Sequence, residues 1–186
     1  MRVPSLAIQM LLAAGIAALA FWARPVQAQE FYVGAAYEAA SGTLDQSGSS
    51  VADTDISALQ ALAGARFQVG SLGFLGGEFE TSIDNSYSDN SSVFTGLDRL
   101  RRIRAVAGTK VGSATIFASI GQATYDLNSL PSGDSLDGTS IGIGGEFSLG
   151  KNVTIRAEAI HDSVDGGAPD YKLDSTSIRA GAVINF

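Results

Sequence analysis

The sequence predicts an all-β fold, an eight-stranded antiparallel up-and-down β-barrel. Eight segments alternate apolar residues with polar, charged or glycine residues at a period of two, which is typical of β-strands with two different faces. The connections between them alternate between turns of two or three residues and polar stretches of about a dozen. A barrel with short turns at one rim and long loops at the other has this pattern, and its even strand number places both chain ends at the short-turn rim.

The first 28 residues are typical of a secretory signal peptide. Arg2 precedes an apolar run over residues 6–22, and a small-residue cleavage site ends at Ala28. The alternative is an uncleaved membrane anchor, which Pro25 disfavours because proline breaks a helix. We therefore expect cleavage after Ala28 and a single barrel domain over residues 29–186.

The composition excludes several classes of function. Removal of Arg2 and Arg24 leaves ten of the 12 basic residues against 19 acidic residues, a net charge of −9. Such a chain is a poor partner for nucleic acid. Cysteine is absent, so disulfides cannot stabilise an exported chain, whereas a closed sheet can, because it has no unpaired strand edge.

The first half of the chain supplies four strands. Apolar side chains recur at every second position of each one, from Phe31 to Tyr37 in the first. The second could be helical in its first half, but Gly64 and the strict alternation after it favour a strand. These strands cover residues 30–40, 56–68, 72–83 and 98–111, and the polar stretches 41–54 and 84–97 between them are predicted loops.

The second half supplies four more strands. The facing of the fifth is ambiguous between one set, Ile116, Ala118 and Ile120, and the other, Thr115, Phe117 and Ser119. Pro131 and Pro169 both fall in long polar stretches, as expected for loops. These strands cover residues 114–125, 139–149, 153–161 and 176–186, and the predicted loops are 126–137 and 162–175.

The polar faces of the strands carry nearly balanced charge, although the chain as a whole is acidic. A soluble barrel would turn these faces to water, whereas a membrane barrel turns them inward. Balance favours the interior, because a buried unpaired charge costs several kcal/mol. The expected interior charges are Glu38, Glu78, Glu80, Glu146 and Glu158 with Arg66, Arg102, Arg104, Lys110, Arg156 and Arg179.

Pairing the predicted strand ends with each other predicts the register of these charges. If Leu149 pairs with Val153 across their turn, Glu146 lies opposite Arg156. If Ile83 pairs with Arg99, Glu80 lies opposite Arg102 and Glu78 opposite Arg104. Closing the first strand on the last with Phe31 near Phe186 puts Glu38 close to Arg179. Glycines on the polar faces are expected to make room for large side chains in a narrow lumen. On the outer face, Phe31, Phe67, Phe147 and Phe186 are expected to form an aromatic girdle, with Arg99 and Arg101 near the loop rim.

The chain ends on a strand that carries a family resemblance. Arg179, Gly181, Ile184 and Phe186 have the spacing of the C-terminal assembly signal of bacterial outer-membrane β-barrels. With its eight strands, the domain resembles the small barrels of the OmpA/OmpX and opacity-protein type, often grouped as porin-family proteins. The resemblance implies a monomer in the outer membrane with both termini periplasmic, surrounded by outer-membrane lipid and lipopolysaccharide. It also implies that the barrel assembly machinery recognises the strand ending at Phe186.

Three functions are compatible with the sequence. We expect an envelope-structural or surface-recognition role, in which acidic loops meet a surface ligand. A narrow porin-like channel is the first alternative. The second is a lipid A deacylase-like enzyme using His161 and Ser163, with Asp174 as supporting acid, although Val164 stands where that motif has Asn. We assign no catalytic, cofactor-binding or metal-binding residue and expect no enzyme activity.

Overall fold

The computed structural model describes residues 29–89, 97–128, 135–166 and 170–186 of the chain. The predicted signal peptide, residues 1–28, lies outside the described residues. No helix within these ranges is long and apolar enough to span a bilayer. The described residues form the strands β1 (Gln29–Gln46), β2 (Ser49–Val69), β3 (Gly73–Asp89), β4 (Leu97–Val111), β5 (Ala114–Leu127), β6 (Leu136–Ser148), β7 (Val153–Gly166) and β8 (Tyr171–Asn185).

The eight strands form one closed sheet. Each strand pairs antiparallel with its neighbours in sequence, and β1 pairs with β8. At this closure the backbone N–H of Phe186 donates to the carbonyl of Phe31 at 2.8 Å. The start of β1 and the end of β8 therefore lie at the rim that carries the turns over residues 70–72, 112–113 and 149–152. The predicted up-and-down barrel is confirmed.

The predicted register is also confirmed. Glu146 pairs with Arg156, Glu80 with Arg102, Glu78 with Arg104, and Glu38 with Arg179. A short turn joins the strands of only one of these pairs, Glu146 with Arg156, whereas the others lie across β3 and β4 or at the β1–β8 closure.

The two sides of the wall differ in polarity, and the charged side faces inward. Ile143 on the outer wall is 69% exposed, whereas Glu80 is 0% and Arg102 is 1% exposed. An apolar exterior around an ionic interior is the arrangement of a transmembrane barrel and the reverse of a soluble one. The facing of β5 is settled, because Ile116 is exposed and Phe117 is buried.

The strands are longer than predicted, and the first predicted loop, residues 41–54, is wrong. β1 continues to Gln46 and β2 begins at Ser49, so that only Ser47 and Gly48 reverse the chain. Both have positive φ, at 50° and 83°, as a tight hairpin turn requires. The other predicted loops are likewise shortened at their ends, because β3 reaches residue 89, β6 begins at 136, β7 reaches 166 and β8 begins at 171.

Bulges allow the extended strands to change phase. The pairing of β2 with β3 shifts at Leu59, which lies opposite Asp84, while Gln60 lies opposite Ser82. Even-numbered residues of β3 face the lumen before this bulge, and Tyr87 packs against the interior after it. A bulge inserts one residue and reverses the facing of all residues that follow. Alternation counted from the first half of β3 therefore predicts the wrong face for the residues of its second half.

The strand ends beyond the apolar exterior form a separate zone, which we call the collar. A strand of six residues rises ~3.3 Å per residue, and because the strands are tilted, the collar is about 15 Å high along the barrel axis. The collar lies at the rim opposite the chain ends. It comprises residues 41–57, 84–89, 97–101, 122–127, 136–140, 161–166 and 171–176.

Candidate functional site

The lumen contains a network of buried charges drawn from seven strands. Inward positions alternate along each strand, so residues distant in sequence meet at the barrel axis. Each charged side chain of the network belongs to a residue that is at most 6% exposed. The network consists of Arg66, Arg102, Arg104, Arg156 and Arg179 with Glu38, Glu78, Glu80, Glu146, Glu158 and Asp162.

Glu78 is the centre of this network. It accepts hydrogen bonds from the hydroxyl of Tyr32 at 2.8 Å, from Arg104 at 2.9 Å, and from Arg156 at 3.0 Å. Arg179 donates a further bond at 3.2 Å. Charge-assisted bonds of this kind compensate the cost of removing each ion from water. One carboxylate on β3 thus binds side chains from four other strands.

A second centre lies closer to the collar. Arg102 donates to Glu38 at 2.6 and 2.8 Å and to Asp162 at 2.7 and 3.0 Å. The Tyr125 hydroxyl also donates to Asp162, at 2.6 Å. Glu38 is therefore adjacent to Arg179 in the sheet but hydrogen-bonds to Arg102 across the lumen. Register predicts neighbours in the sheet, but contacts across the lumen depend on the closed shape.

Cation–π contacts occupy the end of the lumen near the short turns. The guanidinium of Arg66 donates to Glu146 at 2.7 Å and lies 4.4 Å from the ring centre of Tyr32. Arg156 lies 4.2 Å from the ring centre of Phe117. Aromatic faces attract these cations because the ring quadrupole is negative there.

The sequence prediction of the interior needs two corrections. Lys110 has the inward phase but is exposed, because it lies at the rim, where the wall no longer covers the side chain. The sequence predicts that Asp162 lies in a loop, but Asp162 belongs to β7 and is only 1% exposed. The signal for Asp162 was present, since Ile160, Asp162 and Val164 continue the inward alternation of β7.

An apolar layer closes the lumen at the collar, and we call it the cap. The sequence does not predict it, because five of its ten members lie in stretches rich in polar residues, which indicate loops. Packed apolar side chains leave little room for water. The cap consists of Ala40, Leu44, Ala52, Ile56, Leu100, Ala123, Tyr125, Leu136, Val164 and Leu173, with Tyr87 and Tyr171 packed against it.

The residues of the deacylase alternative meet on the outer wall of the collar but not as a catalytic triad. His161 is exposed, and its Nδ1 lies 3.2 Å from the hydroxyl of Thr176. Asp174 lies opposite Ser163 and accepts a hydrogen bond from Lys172 at 2.6 Å. This bond lowers the pKa of Asp174. A triad needs the acid hydrogen-bonded to the histidine, whereas Asp174 accepts its hydrogen bond from Lys172 and His161 bonds to Thr176.

Metal ligands are not grouped in the part of the chain that the structure describes. No set of three or more histidine, cysteine, aspartate or glutamate side chains lies close enough together there to hold an ion. The buried carboxylates of the lumen instead pair with arginine.

Comparison with solved structures identifies proteins with the same architecture. Ail, the attachment invasion locus protein of Yersinia pestis, is 13% identical with a TM-score of 0.51, and the match covers 86% of this chain and all of Ail. Neisserial surface protein A is 18% identical with a TM-score of 0.52, over 86% of this chain and all of that protein. Ail has also been solved in complex with the heparin analogue sucrose octasulfate.

Sequence comparison finds no such likeness: no protein-family model and no curated protein matches the chain. At these identities a structural match shows the fold alone. The chain has the fold of the small eight-stranded outer-membrane β-barrels, the group that its sequence resembles.

Proposed function

We propose that this protein is a monomeric integral protein of the bacterial outer membrane with an envelope-structural or surface-recognition role and no catalytic activity. The observation that carries the proposal is the inverted polarity of the barrel, an apolar exterior around a charged interior. The chain ends and short turns then face the periplasm, and the collar faces the outside of the cell. The barrel assembly machinery is the proposed partner of the C-terminal strand.

The charge of the collar indicates the kind of surface ligand that it would favour. Three bases lie on the described part of the collar, Arg99, Arg101 and Lys172, and nine aspartates there are not buried. Such a surface attracts cationic partners and repels polyanions. We therefore propose a cationic surface ligand, unlike the polyanionic heparin analogue in the Ail complex. The nine aspartates are Asp45, Asp53, Asp55, Asp84, Asp98, Asp126, Asp137, Asp165 and Asp174.

Fractionation and gel migration test the membrane proposal. The full chain, expressed in a Gram-negative host, is expected in the outer-membrane fraction. In detergent extracts it should migrate differently before and after boiling, because a closed barrel resists unfolding by detergent alone. A protein that stays in the soluble periplasmic fraction, with identical migration in both lanes, would contradict the proposal.

The packed lumen argues against the channel alternative. The charge network and the cap both consist of buried residues of the lumen. A conducting pore needs a continuous column of water. In planar bilayers we expect no current steps above the leak of the lipid. Reproducible current steps from the purified barrel would favour the channel instead.

Lipid hydrolysis tests the deacylase alternative. The contacts of His161 with Thr176 and of Asp174 with Lys172 leave the histidine without a supporting acid. We expect the purified protein to release no fatty acid from lipid A. Release that disappears in His161→Ala, with barrel migration intact, would establish the enzyme.

A further inference from the structure

One place on the outer wall carries positive charge directly above the apolar exterior. Arg99 and Arg101 are successive outward residues of β4, and the next outward residue is Ile103, which is 64% exposed. Arg99 is exposed, and the side chain of Arg101 is 41% exposed. Both arginines therefore lie at the level where the lipid chains end and the head groups begin.

These two arginines are only partly neutralised by the protein. The Nη2 of Arg101 donates to both carboxylate oxygens of Asp126, at 3.1 and 3.3 Å. Asp126 also lies directly opposite Arg99 in the pairing of β4 with β5. Within the described residues no other carboxylate lies at ion-pair distance from Arg101, and none does from Arg99. In this part of the chain Arg101 thus has one ion-pair partner and Arg99 has none, while the exposed Asp98 on β4 and Asp84 on the adjacent β3 lie beyond ion-pair distance from both.

The rest of the wall at this level is neutral or acidic. Ser57 and Ser86 bond to each other at 2.7 Å, and Thr124 donates to Asp137 at 2.6 Å. On the far side, His161 contacts Thr176. An anion approaching the described wall at this height therefore meets attraction at β4 and neutral or negative groups elsewhere.

We propose that Arg99 and Arg101 form a binding site for the phosphate of an outer-leaflet lipid head group. This inference rests on the proposed function, because it requires the barrel to be in the membrane. The planar fork of arginine matches phosphate oxygens with two hydrogen bonds, and its stem can lie along the apolar wall. Ile83, 62% exposed on the adjacent strand, and Ile103 offer the acyl chains an apolar surface below the phosphate.

Native mass spectrometry of the full chain in detergent tests the site. The probes are phosphorylated lipid A and the same lipid with its phosphates removed. Wild type is expected to retain the phosphorylated lipid preferentially. Arg99→Gln and Arg101→Gln should each reduce retention about fivefold, and the double variant more, because each base near an anionic head group contributes about that factor. Lys172→Gln removes an exposed base higher on the collar and should change nothing.

The following outcomes would contradict the proposed phosphate site. Equal retention of both lipids, or unchanged retention by the double variant, shows that these arginines do not read the phosphate. Displacement of the lipid by an equal concentration of inorganic phosphate shows a site for free anions only. Heat-dependent migration is recorded for every variant, so loss of the barrel itself, which would contradict the proposed function, is distinguished from loss of lipid selectivity. If Arg101→Gln does not fold, the exposed Arg99→Gln decides alone.

Discussion

At the scale of single residues, the interior depends on ion pairs between buried charges. Glu78 receives bonds from three arginines and one tyrosine, all buried. Water in the lumen could not replace those bonds at comparable strength, because the side chains leave little space for it. The net energy of such a network is small compared with the cost of breaking it at one point.

Glu78→Gln is expected to destabilise the barrel by about 3–5 kcal/mol, because it leaves three arginines around a neutral amide. The measurement is urea unfolding of the protein in phospholipid vesicles. Asp55→Asn makes the same chemical change at an exposed collar position and should shift stability by less than about 0.5 kcal/mol. Equal effects of the two substitutions would show that burial does not govern the cost.

Gly142→Ala tests whether glycine makes room for the network. A Cβ at Gly142 would meet the Ser119 hydroxyl at 2.6 Å and Arg104 Nη1 at 3.1 Å, and it would also meet Glu158. These atoms are held by their own bonds, so we expect a loss of about 1–3 kcal/mol in unfolding free energy. Gly77→Ala is the control, because a Cβ there meets nothing within 4 Å. A smaller loss for Gly142→Ala than for Gly77→Ala would contradict the packing argument.

At the scale of elements, the collar consists of strands whose sequence is typical of loops. Residues 41–54 are rich in Gly, Ser, Thr and Asp because the outer side faces water. Their inward positions still include Leu44 and Ala52, which pack in the cap. Residues 41–46 pair with β2 on one side and with β8 on the other, and residues 52–54 pair with β1. This pairing stabilises strands of low intrinsic preference.

Hydrogen exchange of the barrel in micelles distinguishes strand from loop. The amides of residues 42–44 and 52–54 are expected to exchange slowly, because they lie within the paired ladder of β1, β2 and β8. The turn at Ser47 and Gly48 provides the internal reference for weaker protection. Exchange across 41–54 as fast as in an unstructured peptide would restore the loop that the sequence predicted.

At the scale of the whole molecule, the described residues form a cylinder whose lumen is filled by side chains and whose wall is a closed sheet. The cap and the charge network close the lumen, and the pairing of β1 with β8 closes the wall. Closure removes the free strand edges that would otherwise pair with other chains. The remaining surface for interaction is the outside of the wall and the collar.

Phe186→Ala tests whether the last residue acts in assembly rather than in stability. Its side chain is 73% exposed, and its backbone bond to Phe31 survives the substitution. We expect a several-fold loss of assembled barrel in cells, measured by heat-dependent migration, and little loss when the purified chain refolds into vesicles. Phe147→Ala removes another outward aromatic near the same rim and should leave assembly in cells intact. Equal losses would assign Phe186 a purely structural role.

The sequence by itself determined the strand number, the inward face of seven strands and four cross-strand charge pairs. Alternation gives the face, and pairing the predicted strand ends with each other gives the register. The outer-membrane resemblance of the C-terminal strand was likewise readable from its residues. The exposure of Lys110 could not be predicted, because its position in the alternation of β4 points inward.

Only the tertiary structure decided the collar, the cap and the partners across the lumen. Alternation does not reveal that Glu38 bonds to Arg102, because this contact depends on the diameter and stagger of the closed barrel. It also failed beyond the bulge at Asp84, where one inserted residue reversed the facing. Asp162 and Leu44 are buried because pairing extends the wall past the point where sequence preference ends. Closure of the sheet, a cooperative property of all eight strands, supplies that pairing.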